Sequence, residues 1–149
     1  MRILMTACLI SLMSLVFSQE QQQDPRVLIE KQHRDYLNAF SQRDVEKIER
    51  YFSYPTVFNG DQAKVIINSE KLKKAYAQIF KQLPENYHHS TADRIAVIPI
   101  GNERYKAIVT ASHWTEADEW LLTEEGIFYY KDVQPDSVQT YRIHHYTPR

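Results

Sequence analysis

The chain has 149 residues, 43% hydrophobic and 25% charged, with a formal net charge of −1. That length fits one domain with one sizeable core, and that balance excludes a disordered chain. A charge so near zero leaves no electrostatic footprint for nucleic acid or for anionic lipid.

Arg2 precedes an apolar run from Ile3 to Phe17 of about 15 residues, followed by Ser18 and the polar Gln19-Glu20-Gln21-Gln22-Gln23. Val16 and Ser18 offer aliphatic and small side chains at the positions a signal peptidase inspects. The segment reads as a secretory signal peptide over 1–18, cut after Ser18, with 19–23 as a flexible lead. An uncleaved anchor is the competing reading, but the run is shorter than the roughly 20 residues that span a bilayer. Cys8 is the only cysteine and would leave with the signal. The expected protein is therefore secreted or periplasmic, free of disulfides and thiol nucleophiles, with no membrane segment in its mature form.

From residue 24 the pattern is helical. Asp24-Pro25 opens the first helix, and Ile29, His33, Tyr36, Leu37 and Phe40 fall on one face. Asp44 caps a short second helix carrying Val45, Ile48, Tyr51 and Phe52, which Pro55 ends. Thr56-Val57-Phe58 reads as a short strand, Asn59-Gly60 as its turn, and Ala63 to Ile67 as the returning strand. Ser69 caps a third helix with the stripe Leu72, Ala75, Tyr76, Ile79, Phe80 and Leu83.

The period then changes to that of strands. Tyr87–Ile98, Arg104–Thr115, Trp120–Lys131 and Val138–Tyr146 are predicted strands. Gly101-Asn102, then 116–119, then 132–136 with Pro135 are their turns. Short connections predict an antiparallel meander. The expected fold class is α+β: a curved antiparallel sheet, a four-strand meander plus a short N-terminal hairpin, packed on three helices. Such a sheet encloses a cone whose open end is a pocket.

This order of elements resembles the nuclear transport factor 2-like superfamily, which includes ketosteroid isomerase and the SnoaL-like cyclases. The resemblance covers residues 24–149. It rests on Tyr36-Leu37-Asn38-Ala39-Phe40-Ser41-Gln42-Arg43-Asp44, on the corner Ile48 to Phe58, and on Tyr141-Arg142-Ile143. It implies a cone fold that hosts isomerases, dehydratases, cyclases and non-catalytic binders, so function rests on the site. An ungapped match to ketosteroid isomerase places Tyr36 at the oxyanion tyrosine. It places Gly60 at the general base, with Asp61 one position later. A one-residue slip on a strand turns a side chain to the other face. The isomerase pattern is thus half present.

Among candidate chemical groups, His113 continues the phase of Tyr105, Ala107, Val109 and Ala111 and is a candidate pocket acid or base; the plainer reading is a core histidine bonded to a carbonyl. Asp93 shares a phase with Thr91, Ile95 and Val97 and becomes a buried carboxylate if that phase faces inward. A two-residue Gly101-Asn102 turn would pair Asp93 with Thr110 and His89 with Trp114. His33 adjoins Tyr36 on the helix face, as a relay or as a packing pair. The catalytic candidates are therefore Tyr36, His113 and Asp93. The ligand-binding candidates are Tyr36, Phe40, Tyr54, Phe58, Tyr76, Phe80, His113, Trp114, Trp120, Tyr129 and Tyr141, an aromatic set suited to a small apolar or aromatic guest.

Six histidines raise the question of a metal. His88-His89 and His144-His145 are adjacent, and neighbours on a strand point to opposite faces, so neither pair is expected to chelate. No metal and no cofactor is expected. Glu116, Asp118, Glu119, Glu124 and Glu125 read as a solvated acidic hairpin end. The leading expectation is a non-catalytic small-molecule-binding or accessory domain. An isomerase, dehydratase or cyclase is the alternative, and a homodimer through the outer sheet face is compatible with both.

Overall fold

The computed structural model describes residues 23–60, 62–133 and 141–149. The expected signal peptide and nearly all of its lead, together with Asp61 and the first residues of the last predicted strand, lie outside the described residues. The element order is α1 (Pro25–Ser41), α2 (Val45–Glu49), β1 (Phe52–Asn59), β2 (Ala63–Ile66), α3 (Ser69–Gln82), β3 (His89–Gly101), β4 (Arg104–Trp114), β5 (Trp120–Asp132) and β6 (Tyr141–Pro148). No helix among the described residues is long and apolar enough to cross a membrane.

Local chemistry sets the helix starts. The Asp24 carboxylate accepts from the Arg26 backbone N–H at 2.9 Å, and Pro25 occupies the first turn, where no backbone donor is needed. Asp44 accepts from the Lys47 N–H at 3.0 Å. The third helix is capped by Asn68, which accepts from the Lys71 N–H at 3.0 Å, and not by Ser69. Ser69 is already helical, and its hydroxyl donates to Glu49 at 2.7 Å, tying α3 to α2.

The corner at 51–55 departs from expectation, while the strand over 56–58 and its antiparallel return fall where expected. The second helix stops at Glu49, and β1 begins at Phe52 with Pro55 inside it, after a cis Tyr54–Pro55 peptide. The reason lies across the sheet. Ile143 donates to the Tyr51 carbonyl at 2.8 Å and Phe52 pairs with Ile143, so the chain is drawn into the sheet earlier than helical spacing suggests. The register with β6 shifts between Phe52 and Val57, around the proline that has no N–H to give.

The six strands run in the order β2-β1-β6-β5-β4-β3. The meander β3-β4-β5-β6 is antiparallel as expected. The hairpin β1-β2 joins it through a parallel pairing of β1 with β6, so the sheet is mixed and not wholly antiparallel. It is open at both edges. One face holds the core. Ile29, His33, Tyr36, Leu37 and Phe40 of α1 lie buried together with Ala107 and Val109 of β4, Phe128 and Tyr130 of β5 and Ile143 of β6; Leu72 and Tyr76 of α3 and Ile48 of α2 join them.

Register decides which side chains reach that face. The first turn centres on Asn102-Glu103, both at positive φ, one residue later than expected. Two irregularities in β3, at Pro99/Gly101 and Ala92/Arg94, then restore the pairing of His89 with Trp114. Thr110, however, faces Arg94 and not Asp93. Asp93 is the extra residue of a bulge, and the bulge reverses the phase of the strand: Ile95 and Val97 point to the core while Thr91 and Asp93 point away from it.

Phe52 is 1% exposed and packs against Tyr36, Phe58 and Tyr76. Phe52→Ala is expected to lower stability by about 3–5 kcal/mol in urea unfolding. Trp120→Ala, at a residue 61% exposed, is expected to stay within about 0.5 kcal/mol.

Candidate functional site

The inward phase of β4 carries only small side chains in its middle, Ala107, Val109 and Ala111, and that leaves room between the sheet and α1. Gly126 of β5 sits opposite Val109 and enlarges the same space. The result is a cavity of about 100 Å³ bounded by His33, Tyr36, Leu37 and Phe40 of α1, Phe52 and Phe58 of β1, Tyr76 and Ile79 of α3, and the inward residues of β4, β5 and β6. Phe58, Ile79, Glu124, Glu125 and Tyr146 also border a wider groove of about 670 Å³, whose other walls carry Asn59, Gln62, Lys64, Gln78, Gln82 and Arg149. The apolar chamber and the polar groove thus share one wall.

Besides Tyr146 and Glu125, which also border the groove, three sets of polar groups touch the chamber. The Tyr36 and Tyr76 hydroxyls meet at 2.9 Å, and burial pushes both phenols well above the usual tyrosine range. Near neutral pH both stay protonated; they can donate a hydrogen bond but cannot take a proton. His113 is buried at 5% exposure; its Nδ1 lies 2.8 Å from the Ser90 hydroxyl, and its Nε2 lies 3.4 Å from Glu124. One ordering of protons satisfies the whole chain: Tyr87 donates to Ser90, Ser90 to Nδ1, and Nε2–H to the carboxylate. The bond from His113 holds the Glu124 carboxyl below its usual range. The expected carbonyl partner of His113 is replaced by a hydroxyl and a carboxylate.

His33 is the third. It is fully buried, Nδ1 lies 2.7 Å from the Tyr130 hydroxyl, and its ring stands edge-on to Phe128 at 4.4 Å. Burial, helped by the nearby Arg34 charge, pushes it from 6.5 down to about 3. The pairing with Tyr36 is a ring contact at 5.2 Å and not a hydrogen-bonded relay.

Of the residues selected by pattern, Tyr36, Phe40, Phe58, Tyr76 and His113 border the chamber. Phe80 packs behind it on Phe40 and Tyr76. Tyr54 points to the helix side and bonds Glu49 at 3.3 Å. Tyr141 is buried against Tyr105, away from the chamber. Trp114, Trp120 and Tyr129 lie on the opposite face of the sheet, where the two indoles donate to Thr91 and Thr123. Tyr129 meets the His144 and His145 rings there. Asp93 is also on that face, exposed and accepting from Ser112. The catalytic set Tyr36, His113 and Asp93 is therefore split by the sheet.

Pattern reasoning passed over Glu124, Gly126, Phe128 and Tyr146. The signal for the first three was their shared phase on β5; Tyr129, in the other phase, drew attention by being aromatic. Glu124 reads in sequence as part of a solvated acidic hairpin end, but it pairs with Ala111 and borders the cavity. His88 and His89 also differ from expectation. His88 precedes the strand, so the two rings do not diverge, and their Nδ1 atoms come within 3.2 Å. No group of three His, Cys, Asp or Glu able to hold a metal occurs among the described residues.

A buried histidine that stays neutral has a direct acid signature. Below pH 6.5 the unfolded chain protonates His33 and the folded chain does not, so the unfolded state binds more protons and stability falls with pH until about 3. The expected contribution is up to about 1.4 kcal/mol per pH unit in that window. Urea midpoints of wild type and His33→Phe between pH 7 and 4 check it, the variant having the shallower slope. Gly126 is the second test. A Cβ there would stand 2.9 Å from Tyr146 and 3.1 Å from Phe128. Gly126→Ala is expected to cost about 1–3 kcal/mol, measured by thermal unfolding, because stacked rings must give way.

No protein-family model matches the chain, and no curated protein matches it in sequence. Solved structures do. Aln2 from a Streptomyces species is similar over 85% of this chain and 91% of its own, with a TM-score of 0.66 at 10% identity. A ketosteroid isomerase-like protein from Erwinia carotovora atroseptica covers 85% of this chain and 95% of its own, with a TM-score of 0.62 at 13% identity. The association domain of CaMKII from C. elegans covers 86% and 97%, with a TM-score of 0.61 at 12% identity. At such identities the likeness concerns the fold alone. With the open mixed sheet, the covering helices and the chamber between them, it establishes that this chain has the cone fold of the nuclear transport factor 2-like superfamily.

Proposed function

We propose that the protein is an exported binding domain whose cone takes a small apolar or aromatic guest without transforming it. The observation that carries this reading is the chamber of about 100 Å³, walled largely by aromatic and aliphatic side chains and sharing wall residues with a polar groove. A pocket apolar in depth with a few placed polar groups is the usual form of a small-molecule site. Export is read from the apolar leader over 3–17. The binding test is direct. Benzene titrated into the protein is expected to shift the methyl signals of Val109, Ala111 and Ile79 and to leave those of Ile98 and Ile100 unmoved. A flat response up to the solubility limit rejects the reading. Export is checked by N-terminal sequencing of the protein from the medium or periplasm, expected to start at Gln19; a start at Met1 rejects it.

An enzyme of the isomerase, dehydratase or cyclase kind is the second reading. It is favoured by one observation: His113 with Glu124, and Tyr36 with Tyr76, reach the same chamber. Weighing against it, Asp93 is on the far face and the Glu124 carboxylate already has the His113 N–H. Mass spectrometry of guests recovered after incubation separates the two: unchanged guests fit a binder, and altered ones an enzyme. Pairing of two copies through the outer sheet face, as the association-domain neighbour suggests, has weaker support. Trp120 and the pair Ile98 and Ile100 are exposed there, but at opposite ends of the sheet's long strands, so they form no single patch. A monomeric mass in light scattering rejects it.

A further inference from the structure

We propose that the outer face of the sheet, at the end that carries Trp114 and Trp120, is a second binding site, and that its ligand is a neutral sugar. The site lies across the sheet from the chamber and does not depend on the guest assigned there.

Two rows of side chains cross β3, β4 and β5 in register at this end. Thr91, Ser112 and Thr123 form one row, and His89, Trp114 and Trp120 the other. Adjacent strands lie about 4.8 Å apart, so each row is roughly 10 Å wide. Trp120 is 61% exposed and Trp114 is half-buried. Both indoles are held by their polar edges: Trp114 donates to Thr91 at 2.9 Å, and Trp120 donates to Thr123 at 3.0 Å. The rings are thereby fixed, and what Trp120 leaves to solvent is mostly ring carbon. The His89 ring lies nearly parallel to Trp114, at 17° and 6.5 Å, and extends the aromatic row.

The hydrogens of the polar row all run one way. Each indole N–H goes to a threonine oxygen, Thr123 donates to Ser112, and Ser112 and Thr91 both donate to Asp93. Every hydroxyl and indole hydrogen is spent, and the open capacity is that of acceptors, chiefly the remaining lone pairs of the exposed Asp93 carboxylate. Arg94, the next residue, pairs with Thr110 on the same face and supplies donors beside that carboxylate. A fitting ligand therefore brings hydroxyl groups together with a flat apolar face. A pyranose does both: its hydroxyls stand at the rim, and its C–H bonds form a face that packs on an indole. Other ligands fit less well. A purely apolar surface would desolvate Asp93 without offering it a hydrogen. An anion would meet Asp93 and the acidic turn Glu116, Asp118 and Glu119 between the two tryptophans, and a cation would meet Arg94.

Trp114 and Trp120 are the only tryptophans in the chain, so the two indole N–H signals of a proton–nitrogen spectrum report this site directly. Cellobiose, whose linked rings carry equatorial hydroxyls, is the probe; mannitol, with hydroxyls but no ring face, is the control. Cellobiose is expected to move both signals saturably, and mannitol to leave them in place. Trp120→Ala is expected to weaken cellobiose binding roughly tenfold, read from the Trp114 signal, as the loss of one covered ring face. Asp93→Asn, which keeps an acceptor but not the charge, is expected to weaken it roughly fivefold. No shift up to the solubility limit of cellobiose, an equal shift with mannitol, or unchanged affinity in both variants overturns the site. Indole signals that move with protein concentration and rising mass, and not with the sugar, also overturn it and give this face to a second copy of the chain. The benzene titration of the chamber is unaffected by any of these outcomes, so the two readings stand or fall separately.

Discussion

The hydrogen bond between His33 and Tyr130 links α1 to β5 in the middle of an apolar core. Two aromatic residues meet there with a hydroxyl and a ring nitrogen, both removed from water, so the bond gains strength from the low dielectric and its loss would leave two groups unsatisfied. It also fixes the height at which the helix rides over the sheet. The His33 ring stands between Phe128 and Tyr36, and the space beyond it is bounded by the small side chains of β4. A helix seated closer would close the chamber. A helix seated farther away would break the bond. The cavity is thus a consequence of a polar contact, and the neutral state of His33 belongs to the same arrangement, since a charged imidazole would have neither water nor a carboxylate beside it.

A second constraint divides the chemistry between the faces of the sheet. β3 carries one extra residue at the Ala92/Arg94 bulge, and everything N-terminal to it changes sides relative to everything C-terminal. On the inner side this brings Ser90 against His113 and Ser41, joining β3 to both β4 and α1. On the outer side it gathers Thr91, Asp93, Ser112 and Thr123 into a row of hydroxyls around one carboxylate, with the two indoles donating into it. Without the bulge, Asp93 would face the helices. The sheet keeps its carboxylate in water and its histidine in the cone.

How much of this could be read from the chain depends on the range of the interaction involved. The three helices and the meander were legible, because amphipathic spacing and turn residues are local signals. His113 was legible for the same reason: the run Tyr105, Ala107, Val109, Ala111 alternates cleanly. The corner at Tyr51 to Pro55 was not, although the strand over Thr56 to Phe58 and its return were. Its helix-like spacing is overruled by Ile143, a residue near the other end of the chain, whose N–H draws Tyr51 toward β6. Asp93 was misplaced because a bulge leaves no mark in an alternation pattern, and Trp114, Trp120 and Tyr129 because aromatic character says nothing about which face of a strand is used. Gly126 was invisible as a wall residue, since its contribution is the side chain it does not have.

The stretch that closes the first hairpin supports the binding reading proposed above. A proton-abstracting relative would carry its base near Gly60, yet Gly60 is exposed and borders the groove and not the chamber. Inside the chamber, the tyrosines are held in their protonated form by burial, and His113 is saturated by a hydroxyl and a carboxylate. A general base needs a free lone pair within reach of the proton it takes. His33 Nε2 has no hydrogen-bond partner among the described residues, but burial has pushed that ring down to about 3. A weakly basic nitrogen in an apolar enclosure is poorly suited to hold a proton. The same desolvation that keeps the buried phenols protonated keeps this imidazole neutral.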